Sequence, residues 1–134
     1  MDKYELLLTL NDLLQTSNAG EVRFRSCAHH AENVNLKRLL EVAADRCAEG
    51  ANQLRAKIRD LGGEPCSVDS VSGSIGMDDH AILAECERDE QMAKDEYEAA
   101  LDADLPLDVK AIVVRHYRVV AKNQRQIRIL RNAA

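Results

Sequence analysis

The sequence is poor in the residues that build sheets: it has no tryptophan, one phenylalanine and three tyrosines among 134 residues. Strands draw on aromatic and β-branched side chains, whereas a mixture 46% hydrophobic and 31% charged suits packed helices. No apolar run approaches the roughly 20 residues needed to cross a bilayer. The opening Met1-Asp2-Lys3-Tyr4-Glu5 puts charge where a signal peptide keeps an apolar core. The sequence therefore predicts a cytoplasmic protein, neither secreted nor membrane-spanning. It also lacks CxxC pairs. Cys27, Cys47, Cys66 and Cys86 are spread along the chain, three of them inside helical patterns. That spacing predicts reduced thiols packed as small hydrophobes, not a disulfide or zinc framework.

Catalytic signatures are missing as well. There is no glycine-rich phosphate loop between a strand and a helix, no G-x-S-x-G, and no local Cys–His pairing. A net charge of -5 argues against nucleic acid or anionic lipid as the main partner. The distribution says more than the total. Residues 78–104 hold eleven acids against Arg88 and Lys94, while residues 107–134 hold only Asp108 against seven bases. Pairing of these two neighbouring segments across a hairpin is the expectation, with an electrostatic docking surface as the other reading. The stripe Arg115, Arg118, Lys122, Arg125 has the charge of a nucleic-acid helix without interleaved aromatics, so nucleic acid is not the expected partner.

What is present is helical period. Leu7, Leu10, Leu14, Ser17, Glu21, Phe24, Ala28 and Ala31 keep to one face across residues 3–32, in phase through Gly20. A second stripe, Leu36, Leu40, Ala43, Cys47, Gly50 or Ala51, Leu54, Ile58 and Leu61, spans 35–62 and stops at Gly62-Gly63. Its middle is small in volume, from Ala43 to Ala51, so a neighbouring helix can come close or a polar group can be accommodated there. Residues 63–77 carry the turn-forming glycines and serines of the one linker. A third helix over 78–104 carries Ile82, Cys86, Glu90, Ala93, Tyr97 and Ala100. A fourth over 106–132 is opened by Pro106 and carries Val109, Ile112, His116, Val119, Asn123, Ile127 and Leu130.

Helices of roughly 40 Å satisfy their stripes by packing side by side, so the expected architecture is a single all-α domain, a four-helix bundle. Short turns make antiparallel hairpins of helices one and two and of three and four. The linker can extend to about 50 Å, enough to run the length of the bundle and give up-down-down-up order. Leu6, Leu8, Leu13, Val113, Val114 and Val120 lie off the strict stripes and suggest a second apolar face and a dimer.

Four polar residues, Glu21, Glu90, His116 and Asn123, occupy core phase. A buried carboxylate requires a partner or a metal. Glu21, Glu90 and His116 are thus the candidate ligands of a single divalent metal, against the reading that they form a hydrogen-bonded polar layer. A di-iron centre would need Glu-x-x-His on two helices. Neither the second nor the fourth helix has one.

The segments Leu10-Asn11-Asp12-Leu13-Leu14, Asp60-Leu61-Gly62-Gly63-Glu64-Pro65, Ala81-Ile82-Leu83-Ala84-Glu85-Cys86-Glu87-Arg88 and Asp104-Leu105-Pro106 resemble a bacterial family of four-helix proteins. That family is a domain of unknown function in the ferritin-like superfamily. The resemblance implies an up-down-down-up bundle, although relatives carry a longer, partly helical insertion at the linker. Related bundles often bind iron, and the positions matching their ligand-bearing face include Glu21, Asp45 and Glu87 or Glu90. The last helix offers Val119 and Gln124 where an acid and a histidine are expected.

These readings converge on a non-enzymatic ferritin-like bundle that associates with itself or with a protein partner and holds no cofactor. The alternative is a bundle binding iron, manganese or zinc, or an oxidoreductase, through Glu21, Glu90 and His116.

Overall fold

A computed structural model describes residues 1–67 and 78–133. Its helices are α1 Lys3–His30, α2 Val34–Asp60, α3 Asp79–Asp102 and α4 Leu107–Ala133. No strand occurs among the described residues.

The helix ends are set by side-chain caps. The Asp2 carboxylate accepts from Glu5 N at 2.8 Å, Asn33 Oδ1 from Leu36 N at 3.0 Å and the Asp78 carboxylate from Ala81 N at 2.8 Å. Each satisfies a backbone donor that the first turn leaves without a partner. α1 stops at His30 rather than at 32, because Ala31 is extended and the Glu32 and Asn33 amides donate instead to the Asp79 carboxylate at 2.9 and 3.0 Å. α2 stops at Asp60 because Gly62 turns left-handed, at φ 83°. Gly63 N then donates to Ile58 O and Gly62 N to Arg59 O, both at 2.9 Å, closing a Schellman motif. Pro106 precedes α4 instead of lying within it, and its carbonyl accepts from Lys110 N at 2.8 Å.

The same contacts fix the topology. Asp79, at the start of α3, is held by the turn between α1 and α2, so α3 begins at the end of the bundle where α1 finishes. Lys57, in the last turn of α2, pairs with Asp108 in the first turn of α4. The order is up-down-down-up, with α2 and α3 parallel, so the chain leaves α2 at one end of the bundle and enters α3 at the other. After α2 the chain lies against α1: Cys66 N donates to Asn11 Oδ1 at 2.7 Å, and Asn11 Nδ2 donates to Glu64 O at 3.1 Å. The rest of the linker expected over 63–77 lies outside the described residues from 68 on.

Burial follows the stripes on α1, α2 and α3, with Leu7, Glu21, Cys47 and Leu61 only part-buried, and shifts on α4. There Val109, Val113, His116, Val120, Asn123 and Ile127 face inward, while Ile112, Val119 and Leu130 sit on the flanks. Leu6, Leu13, Val113 and Val120 are therefore core residues and do not supply the second apolar face expected of them. A side chain's burial depends on how the helix is rolled against two neighbours, and a small roll of α4 exchanges Ile112 and Val119 for Val113 and Val120 while Val109, His116, Asn123 and Ile127 stay inward.

The apolar interior is divided in two. One cluster, centred on Leu10, Leu14, Leu54, Tyr97 and Val109, fills the end where the chain begins. The other, centred on Phe24, Leu40, Ala43, Ile82 and Ile127, fills the opposite end. Between them lies a waist of buried polar side chains: Ser17, Asn18, Glu90, His116, Asn123 and Gln124.

Candidate functional site

The waist exists because each helix places something small or polar at the same height. α1 contributes Ser17 and Gly20, α2 Cys47 and Gly50, α3 Glu90, and α4 His116 and Asn123; these line one cavity of about 20 Å³. Gly50 makes room for the imidazole, since a Cβ there would lie 3.1 Å from His116 Nδ1. A Cβ at Gly20 would lie 3.1 Å from Cys47 Sγ. The small-volume stretch of α2 thus does both things its sequence allows: it brings α1 close and it accommodates a polar ring.

Glu90 is 4% exposed, and its Oε2 has no hydrogen-bond partner in the protein. Burial pushes its carboxyl up to about 8 from an ordinary 4.5; the Asn123 amide works in the opposite direction, Asp89 adds to the rise and Arg23 offsets part of it. The group is therefore largely neutral at pH 7. His116 is 6% exposed and is held below the usual histidine range by burial first and by the Arg115 charge second. Its Nε2 likewise has no partner in the protein.

Asn123 is oriented from α2. Arg46 Nη1 donates to Asn123 Oδ1 at 2.9 Å and to Gln126 Oε1 at 3.2 Å, leaving the Asn123 Nδ2 donor without a partner. On the other side of the cavity Tyr97 and Ser17 share a hydroxyl hydrogen bond at 3.0 Å. Burial raises the Tyr97 phenol to about 12. Burial, with the Glu90 and Glu21 charges, raises the Cys47 thiol too. No disulfide joins the cysteines. Cys27 and Cys86 lie together in the second apolar cluster, and the neighbouring Cys27 thiol and burial both push Cys86 up. A thiol in that state is a poor nucleophile.

Of the three candidate ligands the structure brings two together. Glu90 and His116 line the same cavity, but Glu21 does not. The Glu21 side chain is on the flank of α1, where it accepts from Arg25 Nε at 3.0 Å, and Arg25 also pairs with Asp45 at 3.1 Å. Glu21 and Asp45 thus share a cation at the α1–α2 edge and not a metal in the interior. Among the described residues no three His, Cys, Asp or Glu side chains converge closely enough to hold a metal ion.

A second depression, about 290 Å³, lies on the surface between α1 and α3. Its walls carry Arg23, Asp89, Glu96 and Met92, and it shares Thr16, Gly20, Ala93 and Glu90 with the waist cavity. Arg23 Nε lies 3.2 Å from Asp89. Burial nonetheless raises Asp89 above the usual aspartate range. Glu90 is thus part of the partition between solvent and the waist.

Charge pairing across the α3–α4 hairpin is narrower than the composition implies. Glu87 takes Arg128 at 3.1 Å and Arg131 at 2.6 Å, which holds its carboxyl below the usual glutamate range. Arg115 pairs across to Glu49 on α2 at 3.6 Å. Arg118, Lys122 and Arg125 are exposed.

The family pattern described as a domain of unknown function (DUF2383) matches residues 5–103. The chain belongs to that family. DUF2383 here has the ferritin-like fold: a protein from Bacillus anthracis str. Ames, described as a ferritin-like, diiron-carboxylate protein, superposes with a TM-score of 0.81. The match covers 98% of this chain and 99% of that one at 20% identity, which establishes the shared fold alone. No curated protein sequence matches the chain. No described helix is long and apolar enough to cross a membrane.

The donors of this DUF2383 chain do not fit a di-iron group. Such a centre takes a Glu from each of two helices and Glu-x-x-His from each of the other two, whereas this waist presents one carboxylate and one imidazole. On α2 the space facing His116 belongs to Gly50. A guanidinium, Arg46, also borders the cavity and opposes a further cation by like charge.

Sequence reasoning missed Arg46 and the Tyr97–Ser17 pair. Tyr97 and Ser17 both lie on core stripes, so their meeting at one level could have been found by aligning helix midpoints. Arg46 gives no such signal, because it sits beside the stripe and reaches the waist only through the length of its side chain.

Proposed function

We propose that the chain is a non-enzymatic bundle that associates with a second copy of itself, through the outer face of α1. The supporting observation is the chemistry of that face. Tyr4, Leu8, Asn11, Gln15, Ala19, Val22, Ser26 and His29 follow one another at steps of three and four and include no acid, lysine or arginine; Glu64 and Cys66 of the linker cover the stripe at Asn11 and leave Tyr4 and Leu8 open beside it. Tyr4 is 71% exposed and Leu8 49%. In a chain 31% charged, an uncharged stripe on the 28-residue α1 is what a self-complementary contact needs: in a two-fold pair the same surface meets itself, and like charges there would repel.

Sedimentation equilibrium over a wide dilution series tests this. The expected result is a mass moving from monomer to dimer with concentration, and a monomer throughout for Tyr4→Glu with Leu8→Glu. Both positions are exposed, so the fold tolerates the change. A monomer at every concentration for the unaltered protein rules the reading out.

The diiron-carboxylate description of the Bacillus anthracis protein suggests metal chemistry as the second reading. It would rest here on Glu90 and His116 without Glu21, a donor set short of what divalent ions take. Stoichiometric iron, manganese or zinc in protein purified without chelator, and lost in Glu90→Ala, would put that reading first.

A further inference from the structure

Four buried polar atoms of the waist have no partner in the protein: Asn18 Nδ2, which lies away from the cavity, and Glu90 Oε2, His116 Nε2 and Asn123 Nδ2. Glu90, His116 and Asn123 line the same cavity. Leaving each of these atoms unsatisfied in an apolar interior is costly, and native proteins rarely leave several together. A polar cavity accepts a water when it offers about 10–15 Å³ and two to four hydrogen-bonding groups; this one has about 20 Å³.

We infer that the cavity is a site for a single water molecule, which accepts from Asn123 Nδ2 and donates to His116 Nε2 and Glu90 Oε2. Two donations and one acceptance make the three hydrogen bonds common for a buried water. Each protein atom has the polarity this requires. The amide is fixed by the Arg46 donation to Oδ1, so Nδ2 is the atom turned free. An imidazole kept neutral by burial offers a lone pair on one nitrogen; the tautomer with its proton on Nδ1 puts that lone pair on Nε2, the nitrogen buried without a partner. A neutral carboxyl keeps an acceptor oxygen.

The water also explains how a ferritin-like bundle closes its centre with a donor set too small for metal. Arg46 supplies positive charge next to the cavity from the protein itself, so a neutral molecule is the fitting occupant. The route in is short. Thr16, Gly20, Glu90 and Ala93 are common to this cavity and to the α1–α3 depression, so the site lies directly behind the surface.

Crystals of the full chain, purified without chelator, test the inference, with data collected at the iron and zinc edges. The expected result is one isolated peak about 2.7–3.2 Å from all three atoms, with no anomalous signal. A cavity without density overturns the inference. So does an anomalous peak about 2.0–2.3 Å from His116 Nε2 and Glu90, which would be a metal. In solution, water-to-protein Overhauser transfer to the Asn123 side-chain amide protons reads the same site. Transfer of the sign expected for a long-lived water should appear in the unaltered protein and in Glu90→Gln, which keeps an acceptor. It should persist in Tyr97→Phe, which removes transfer relayed by the neighbouring phenol; its loss there, or its absence from the unaltered protein, refutes the site.

Discussion

Arg46 on α2 donates through Nη1 to Asn123 Oδ1 on α4 at 2.9 Å, and this one bond decides which end of the Asn123 amide faces Glu90 and His116. The waist is organised from a helix whose own inward residues there, Cys47 and Gly50, are too small to act by themselves. Several consequences can be measured.

Glu90 should make the protein less stable as pH rises. Its carboxyl titrates near 8 when folded and near 4.5 ordinarily, so between these values the folded state binds the proton that the unfolded state has lost. Its contribution is full below about 4.5 and disappears as pH rises to 8. Glu90→Gln should remove this dependence. Relative to the variant, the unaltered protein should lose on the order of 3–5 kcal/mol between pH 5 and 8 in denaturant titrations; parallel curves would contradict the raised value.

Gly50→Ala should destabilise the fold by about 1 kcal/mol, because crowding of the buried imidazole, which costs about 1–3 kcal/mol, exceeds the gain of about 1 kcal/mol from helix propensity. The same change in a His116→Ala background should be neutral or stabilising. A double-mutant cycle with no coupling would show that His116 moves aside without cost.

Tyr97→Phe should cost about 1–2 kcal/mol, since it leaves the Ser17 hydroxyl buried without its partner. Adding Ser17→Ala should recover part of that loss. Thermal unfolding of the single and double variants measures both; additive losses would mean the 3.0 Å contact contributes nothing specific.

Asp79→Ala should cost about 1–2 kcal/mol by releasing the Glu32 and Asn33 amides, the charged contact that ties the first hairpin to the start of α3. Hydrogen exchange should quicken at those two amides and in the first turn of α3. Unchanged exchange at residues 32 and 33 would count against the bridge.

The sequence by itself determined that this chain is helical, where each helix starts and stops to within about two residues, and that α3 would bring Glu90 inward, because a 3.6-residue period, caps and glycine stops are local properties. It also placed His116 and Asn123 in core phase. Only the tertiary structure decided which polar residues meet. Glu21 shares the phase of Leu14 and Phe24, yet its chain is long enough to turn from the flank to Arg25, and a small roll of α4 put Val113 and Val120 inside while moving Ile112 and Val119 to the edge. Phase along one helix fixes a direction. Whether that direction ends in solvent, in a guanidinium such as Arg46 or in a cavity depends on the neighbouring helices, and their roll and height are set by all four interfaces packing at once.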